Sequence, residues 1–153
     1  LLEANFNFEK KEDEFMGNNI RQKAVSMISN AETTVLSSVD EGGMPRAVAM
    51  SNIKAEGLET IWFATGTNSE KVKHYMENNK ASVCYSSAKD GITLTGNIEI
   101  IHDMDIKEAL WVDWFINHFP GGVTDPEYCI LKFNTKNAIL WIDNVFEKFS
   151  LDA

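Results

Sequence analysis

Residues 92–101, ITLTGNIEII, alternate apolar and polar side chains, with Ile92, Leu94, Ile98 and Ile100 on one face and Thr93, Thr95, Asn97 and Glu99 on the other. Successive side chains of a strand point to opposite faces, so this alternation predicts a strand with one face in a core. Gly96 stands on the apolar face. A missing side chain there predicts a bulge or the close approach of something else, such as another chain. The turn AKDG and the preceding ASVCYSS supply its hairpin partner.

Working outward, residues 33–65 read as three more strands, TTVLSSVD, RAVAMSNI and LETIWFAT, joined by the short turns DEGGMP and KAEG. Thr67 and Glu70 have capping-box spacing ahead of a helix whose apolar face is Val72, Tyr75 and Met76 and which ends at Asn78-Asn79. Residues 102–119, HDMDIKEALWVDWFINHF, predict one helix started by Asp103 or Asp105. Ile106, Ala109, Leu110 and Trp114 lie on its inner face, and Trp111 and Phe115 widen the apolar arc. After the loop PGGVTDP, CILKF and AILWI read as two closing strands. Near the start, Asn18 or Asn19 caps a helix carrying Ile20, Ala24, Met27, Ile28 and Ala31. Residues 1–17 show no period and read as an N-terminal arm, frayed or laid across a neighbour, ahead of one domain over 18–150. Hairpin spacing without β-helix-β alternation predicts a mainly β fold with flanking helices, a closed or split antiparallel barrel.

Composition narrows the function classes. A net charge of -9 with only two arginines, Arg21 and Arg46, disfavours nucleic acid or an anionic membrane as partner, since both need clustered cations. No apolar run approaches the roughly 18 residues of a membrane helix, and the first residues lack the pattern of a secretory signal, so a cytoplasmic location is expected. Cys84 and Cys129 are far apart and read as reduced, buried thiols, and His74, His102 and His118 lack partners at metal-ligand spacing. Walker, Rossmann and G-x-S-x-G patterns are absent from the sequence.

One constellation could hold an anion. Arg46 opens the second strand, and T-N-S-E-K opens the second helix, where free backbone N–H groups, Thr67, Ser69 and Lys71 together make a plausible phosphate cradle. The simpler account of the same residues is a capped surface helix with a solvated lysine. What decides is whether Arg46 and Lys71 converge. Trp111, Trp114, Phe115, Phe119 and Trp141 could stack on a planar cofactor or simply form core.

Taken in order, PRAVAMS, IWFATGTNSEK, ITLTGNIEII, WVDWFINHFPGGVTDP and AILWID resemble the general stress protein 26 branch of the pyridoxamine 5′-phosphate oxidase-like flavin proteins. That resemblance implies a six-stranded antiparallel split β-barrel, homodimeric, with FMN in two symmetric clefts. It assigns Arg46 and Lys71 to the phosphate and adds the Ser69 hydroxyl. Ala47, Val48, Met50 and Ser51 would run beside the ribityl chain and ring, Ala64 and Thr65 would complete that side, and Trp111, Phe119 and Trp141 would close the cleft across the partner chain. Two departures stand out. Glu70 occupies the place where the family usually has a basic residue, and no arginine follows Arg46 to hold the phosphate of a pyridoxamine phosphate substrate. The implied function is therefore FMN-dependent redox chemistry on an unknown small molecule rather than pyridoxal phosphate synthesis. The alternatives are a non-catalytic flavin-binding module or a haem or deazaflavin protein, and a haem protein would want an axial His or Cys facing the cleft.

Overall fold

The computed structural model describes residues 2–151, with side chains described for residue 11 and residues 17–151. Helix α1 (Leu2–Asn30) is followed by the strands β1 (Thr33–Val39), β2 (Pro45–Ser51), β3 (Lys54–Glu56) and β4 (Thr60–Gly66). Helix α2 (Glu70–Glu77), the hairpin β5 (Lys80–Ser87) and β6 (Asp90–Ile101), helix α3 (Met104–Ala109) and the strands β7 (Tyr128–Ile142) and β8 (Val145–Ser150) complete the order. All strand pairs are antiparallel, in the order β2-β1-β5-β6-β7-β4-β3 with β8 on β7. The sheet curls into the half-barrel of a split-barrel fold.

Six strands, β1, β2 and β4–β7, correspond to the predicted set, and β3 and β8 are additions. Residues 54–56 of the expected KAEG turn pair with β4 as β3, and the reversal falls instead at Gly57, whose φ of 59° suits glycine. The two expected closing strands are one strand, β7. Its polar middle keeps pairing, with Asn134 and Asn137 opposite Asn97 and Thr95 of β6, and Thr135 Oγ1 donates to the carbonyl of Leu58. The β6–β7 register shifts between Thr95 and Gly96, which is the predicted bulge. The backbone close to Gly96 belongs to β7 of the same chain: a Cβ at Gly96 would lie 1.9 Å from the Asn134 carbonyl oxygen.

The helix predicted over 102–119 is broken. After α3, Val112 is extended and residues Asp113–Asn117 form a 3-10 turn. In a continuous α-helix, Leu110 and Phe115 would point about 140° apart. The break lets both enter one small core with Phe119, Tyr128 and Ile130. Trp114, expected on the inner face, is 44% exposed. The larger core lies on the other side of the sheet and contains Leu36, Phe63, Tyr85, Leu94, Phe133 and Leu140.

Helix α1 begins well before Asn18. Its backbone runs unbroken through the segment read as an arm, which contains no proline and many Glu and Lys residues of good helix propensity. Ile20, Ala24 and Ile28 recur every four residues and are buried in the large core, while Met27 and Ala31 pack at its edge. Asn52 fastens the helix end. Its Nδ2 donates to the carbonyls of Ile28 (2.8 Å) and Ala31 (2.9 Å), and its Oδ1 accepts from the Tyr85 hydroxyl (2.8 Å). Asn52→Ala removes both donations and leaves three groups to find water, so it should cost about 2 kcal/mol, read as a lower urea midpoint at unchanged slope.

Candidate functional site

Four elements enclose a cavity of about 360 Å³. Ala49, Met50 and Ser51 of β2 form one wall, and Ala64, Thr65 and Gly66 at the end of β4 form another. Lys71 enters from the first turn of α2, and the 3-10 segment contributes Trp114, Phe115, His118 and Phe119. The volume is at the lower end of the range for small-molecule sites, and the mix of aromatic walls with few polar groups is typical of them.

The start of α2 differs from the predicted capping box. Ser69, not Thr67, occupies the N-cap position, with φ −67° and ψ 153°. Its Oγ makes no capping bond and is buried with no partner among the described residues. Thr67 instead ties the loop after β4 to the segment before β7: its Oγ1 donates to the Pro126 carbonyl (2.9 Å) and its N–H to the Glu127 carbonyl (2.7 Å). Met76, expected on the buried face of α2, is 73% exposed, and His74 is buried instead, with Nδ1 2.8 Å from Ser38 Oγ.

Lys71 is half-buried. Burial lowers its pKa by stripping water from the ammonium, and among the described residues no carboxylate lies within 4.0 Å of it. Glu70 turns outward, with a side chain 72% exposed and 3.5 Å from Lys73. Cys129 is buried and its thiol pKa is pushed up by that burial, while Cys84, expected to be buried, is exposed.

The loop over 120–127 acts as scaffold. The Asp125 carboxylate accepts from Glu127 N–H and Gly121 N–H, both at 2.9 Å, which holds its pKa below the ordinary carboxylate value. Lys107, which the sequence did not single out, is buried under this loop. Its Nζ lies 3.5 Å from the Asp125 carbonyl and 5.0 Å from the centre of the Tyr128 ring, whose hydroxyl donates to the Lys107 carbonyl (2.8 Å). The loop should loosen as pH falls through the depressed pKa of Asp125, where a carboxylate that accepts two N–H bonds only when ionised loses its advantage.

Of the residues singled out from the sequence, Met50, Ser51, Ala64, Thr65, Lys71, Trp114, Phe115 and Phe119 line this one cavity. Ser69 lies two residues from Lys71. Arg46 is not in the lining. It is exposed at the other end of β2, where NH1 lies 3.6 Å from Asp40, a carboxylate itself held by the N–H groups of Met44 and Gly42. Ala47 and Val48 are exposed on β2 between them. Trp111 is half-buried in the small core of its own chain, edge-on to Tyr128 at 5.2 Å, because the helix break turns it there. Trp141 is 44% exposed toward the far end of β7, beside Phe146. His118 was not predicted as a site residue. It is held edge-on to Trp114 at 5.7 Å, and only the unforeseen 3-10 geometry brings it to the cavity.

Among the described residues, no group of three or more His, Cys, Asp or Glu is placed to hold a metal, and no helix is long and apolar enough to cross a membrane.

The comparisons with known proteins agree with the fold. The family model described as "Pyridoxamine 5'-phosphate oxidase like" matches residues 19–150. No curated protein sequence matches the chain. A solved structure from Clostridium acetobutylicum, a protein related to general stress protein 26 of Bacillus subtilis, is 28% identical with a TM-score of 0.79, covering 88% of this chain and 96% of its own. General stress protein 26 of Bacillus anthracis is 24% identical with a TM-score of 0.73, covering 86% of this chain and 98% of its own. A heme binding protein from Mycobacterium smegmatis shares the fold at 12% identity and a TM-score of 0.69, covering 86% of this chain and 57% of its own. With the family model spanning residues 19–150 and the split-barrel sheet that carries the cavity, the chain belongs to the pyridoxamine 5′-phosphate oxidase-like family.

Proposed function

We propose that the chain binds FMN at this cavity and serves as a flavin-dependent oxidoreductase for a small-molecule partner, working as a cytoplasmic homodimer. The observation that carries the reading is that the opening of α2 holds both a half-buried Lys71 with no carboxylate within 4.0 Å and a buried Ser69 Oγ with no partner, among the described residues. A cation stripped of water and an orphan hydroxyl at a helix N-terminus are the donor set that a phosphate satisfies. The walls of Met50, Phe115 and Phe119 suit an apolar ring face. When bound, a flavin supplies hydride and electron transfer, and the protein supplies position and electrostatics.

The dimer is supported by β2, an edge strand exposed along almost its whole length, with the exposed apolar side chains of Val48 on it, Met44 just before it and Val35 on the neighbouring β1. Such a strand is a template for pairing or packing unless something covers it. Arg46, exposed on β2 itself, stands beside Asp40 and outside the cavity lining. The lack of arginine after Arg46 argues against a pyridoxamine phosphate substrate.

His118 in the wall favours a second reading, haem, since it gives the cavity one candidate axial ligand and the fold is shared with a heme binding protein. The absorbance spectrum of the purified protein separates the two. Two flavin bands and a Kd for FMN at least tenfold below that for riboflavin are expected, whereas a Soret band or equal flavin affinities would sink the FMN reading. Glu70→Gln should shift FMN affinity by less than about twofold at physiological salt, because its carboxylate faces solvent and Lys73. Isothermal titration measures it.

A further inference from the structure

We propose that His118 is the second anion-binding side chain of this cavity, so that its ligand is held between Lys71 and His118. The inference rests on the reading that the cavity takes a phosphate-bearing flavin. Among the described residues, Lys71 and His118 are the only ionisable ones in the lining: the β2 and β4 walls contribute apolar, hydroxyl and glycine residues and no carboxylate. In a chain of net charge -9, a cavity whose described lining holds Lys71 and no carboxylate favours an anion. Both side chains belong to the lining of one cavity of about 360 Å³, where their charges act on the same ligand.

The imidazole is placed for this contact by packing. His118 is exposed, its ring stands edge-on to Trp114 at 5.7 Å and tilted on Phe119 at 6.4 Å, and neither ring nitrogen has a hydrogen-bond partner among the described residues. Both N–H groups of an imidazolium are therefore free for a ligand. The other charged and titratable groups of the neighbouring elements lie outside the lining: Glu70, Lys73, His74, Tyr75 and Glu77 on α2, Asp113 on its own turn, Lys107 on α3, Asp125 in the following loop, and Tyr128 and Cys129 on β7. None of them replaces Lys71 as the charge that shares the wall with His118.

The test is the pH dependence of FMN and riboflavin affinity for the wild type, His118→Gln and His118→Lys, between about pH 5.5 and 8.5. Wild-type FMN affinity should pass through a maximum, limited on the acid side by protonation of the phosphate, whose second pKa is about 6, and on the alkaline side by loss of the imidazolium. His118→Gln should bind FMN about tenfold more weakly near pH 6 and lose the alkaline limb. His118→Lys should restore affinity without restoring that limb, which separates lost charge from lost shape. Riboflavin affinity should be flat in all three proteins. FMN binding with the same profile in wild type and His118→Gln overturns this proposal and leaves the flavin reading intact. Failure of the wild type to bind either flavin overturns both.

Discussion

Gly96→Ala should destabilise the protein by about 3 kcal/mol or more, and Gly96→Val should prevent folding. An added Cβ would meet the Asn134 carbonyl oxygen at 1.9 Å, the Asn134 carbonyl carbon at 2.9 Å and Thr135 Cα at 3.1 Å. All three are backbone atoms of β7, which is fixed on both sides by β6 and β4 or β8, so they cannot swing away as the end of a flexible side chain would. Relief requires parting β6 and β7 beside the bulge, where Thr135 is also anchored to Leu58 and Glu59. Gly91→Ala is the control in the same strand. Nothing lies within 4 Å of its Cβ position, and the alanine restricts the unfolded chain, so a change within about 0.5 kcal/mol is expected. Urea melts of both variants decide the matter. Equal effects at the two positions would mean that loss of glycine flexibility, and not the approach of β7, sets the cost.

Lys71→Met should weaken FMN about tenfold to a hundredfold, leave riboflavin nearly unchanged, and raise the melting temperature of the ligand-free protein by about 1–2 °C. The two effects have one cause. Burial holds the lysine pKa below its ordinary value of 10.5, so the folded state disfavours the charged form. That penalty is full wherever the lysine is protonated in both folded and unfolded chains, and it fades as pH rises through the depressed folded-state pKa toward 10.5. An anion beside the ammonium offsets it, which is why FMN should stabilise the wild type more than the variant. Because Lys71 remains partly open to solvent, screening keeps the stability term small. Ser69→Ala should act in the same sense on FMN with a smaller loss, having removed a hydroxyl rather than a charge. Loss of riboflavin binding in parallel with FMN would reassign Lys71 to the architecture of the site.

The parts of this fold that could be read from the sequence are those governed by local alternation. The run 92–101 is a strand because every second residue is apolar, and the hairpin before it follows from a short glycine-containing turn. The misread parts depend on distant partners. Residues 134–137 look like a turn because Asn and Lys are polar, yet they stay in β7 because β6 pairs with Asn134, Thr135 and Asn137 around the bulge and Leu58 accepts from Thr135. Residues 102–119 have apolar side chains all round, and only the position of the small core against β7 decides that the helix must break at Val112. The site divides in the same way. Lys71 and Ser69 stand out as residues of a helix N-terminus, whereas His118 joins them only through that break, and Arg46 is drawn to Asp40 by the turn between β1 and β2.

The central place of β7 also governs the order in which the protein can form. This strand pairs with β4, β6 and β8, so a chain emerging from the ribosome holds β4 and β6 without their shared neighbour until residues 128–142 are available. Pairing Thr60 with Asn134 closes a loop of more than seventy residues, and sheets dominated by such distant pairings fold in milliseconds to seconds rather than microseconds. During that interval two unpaired strand edges are open to other nascent chains. Yield of soluble protein should therefore depend on synthesis rate and temperature more steeply than its equilibrium stability implies, and the vulnerable species is a chain with β4 and β6 formed and β7 still undocked.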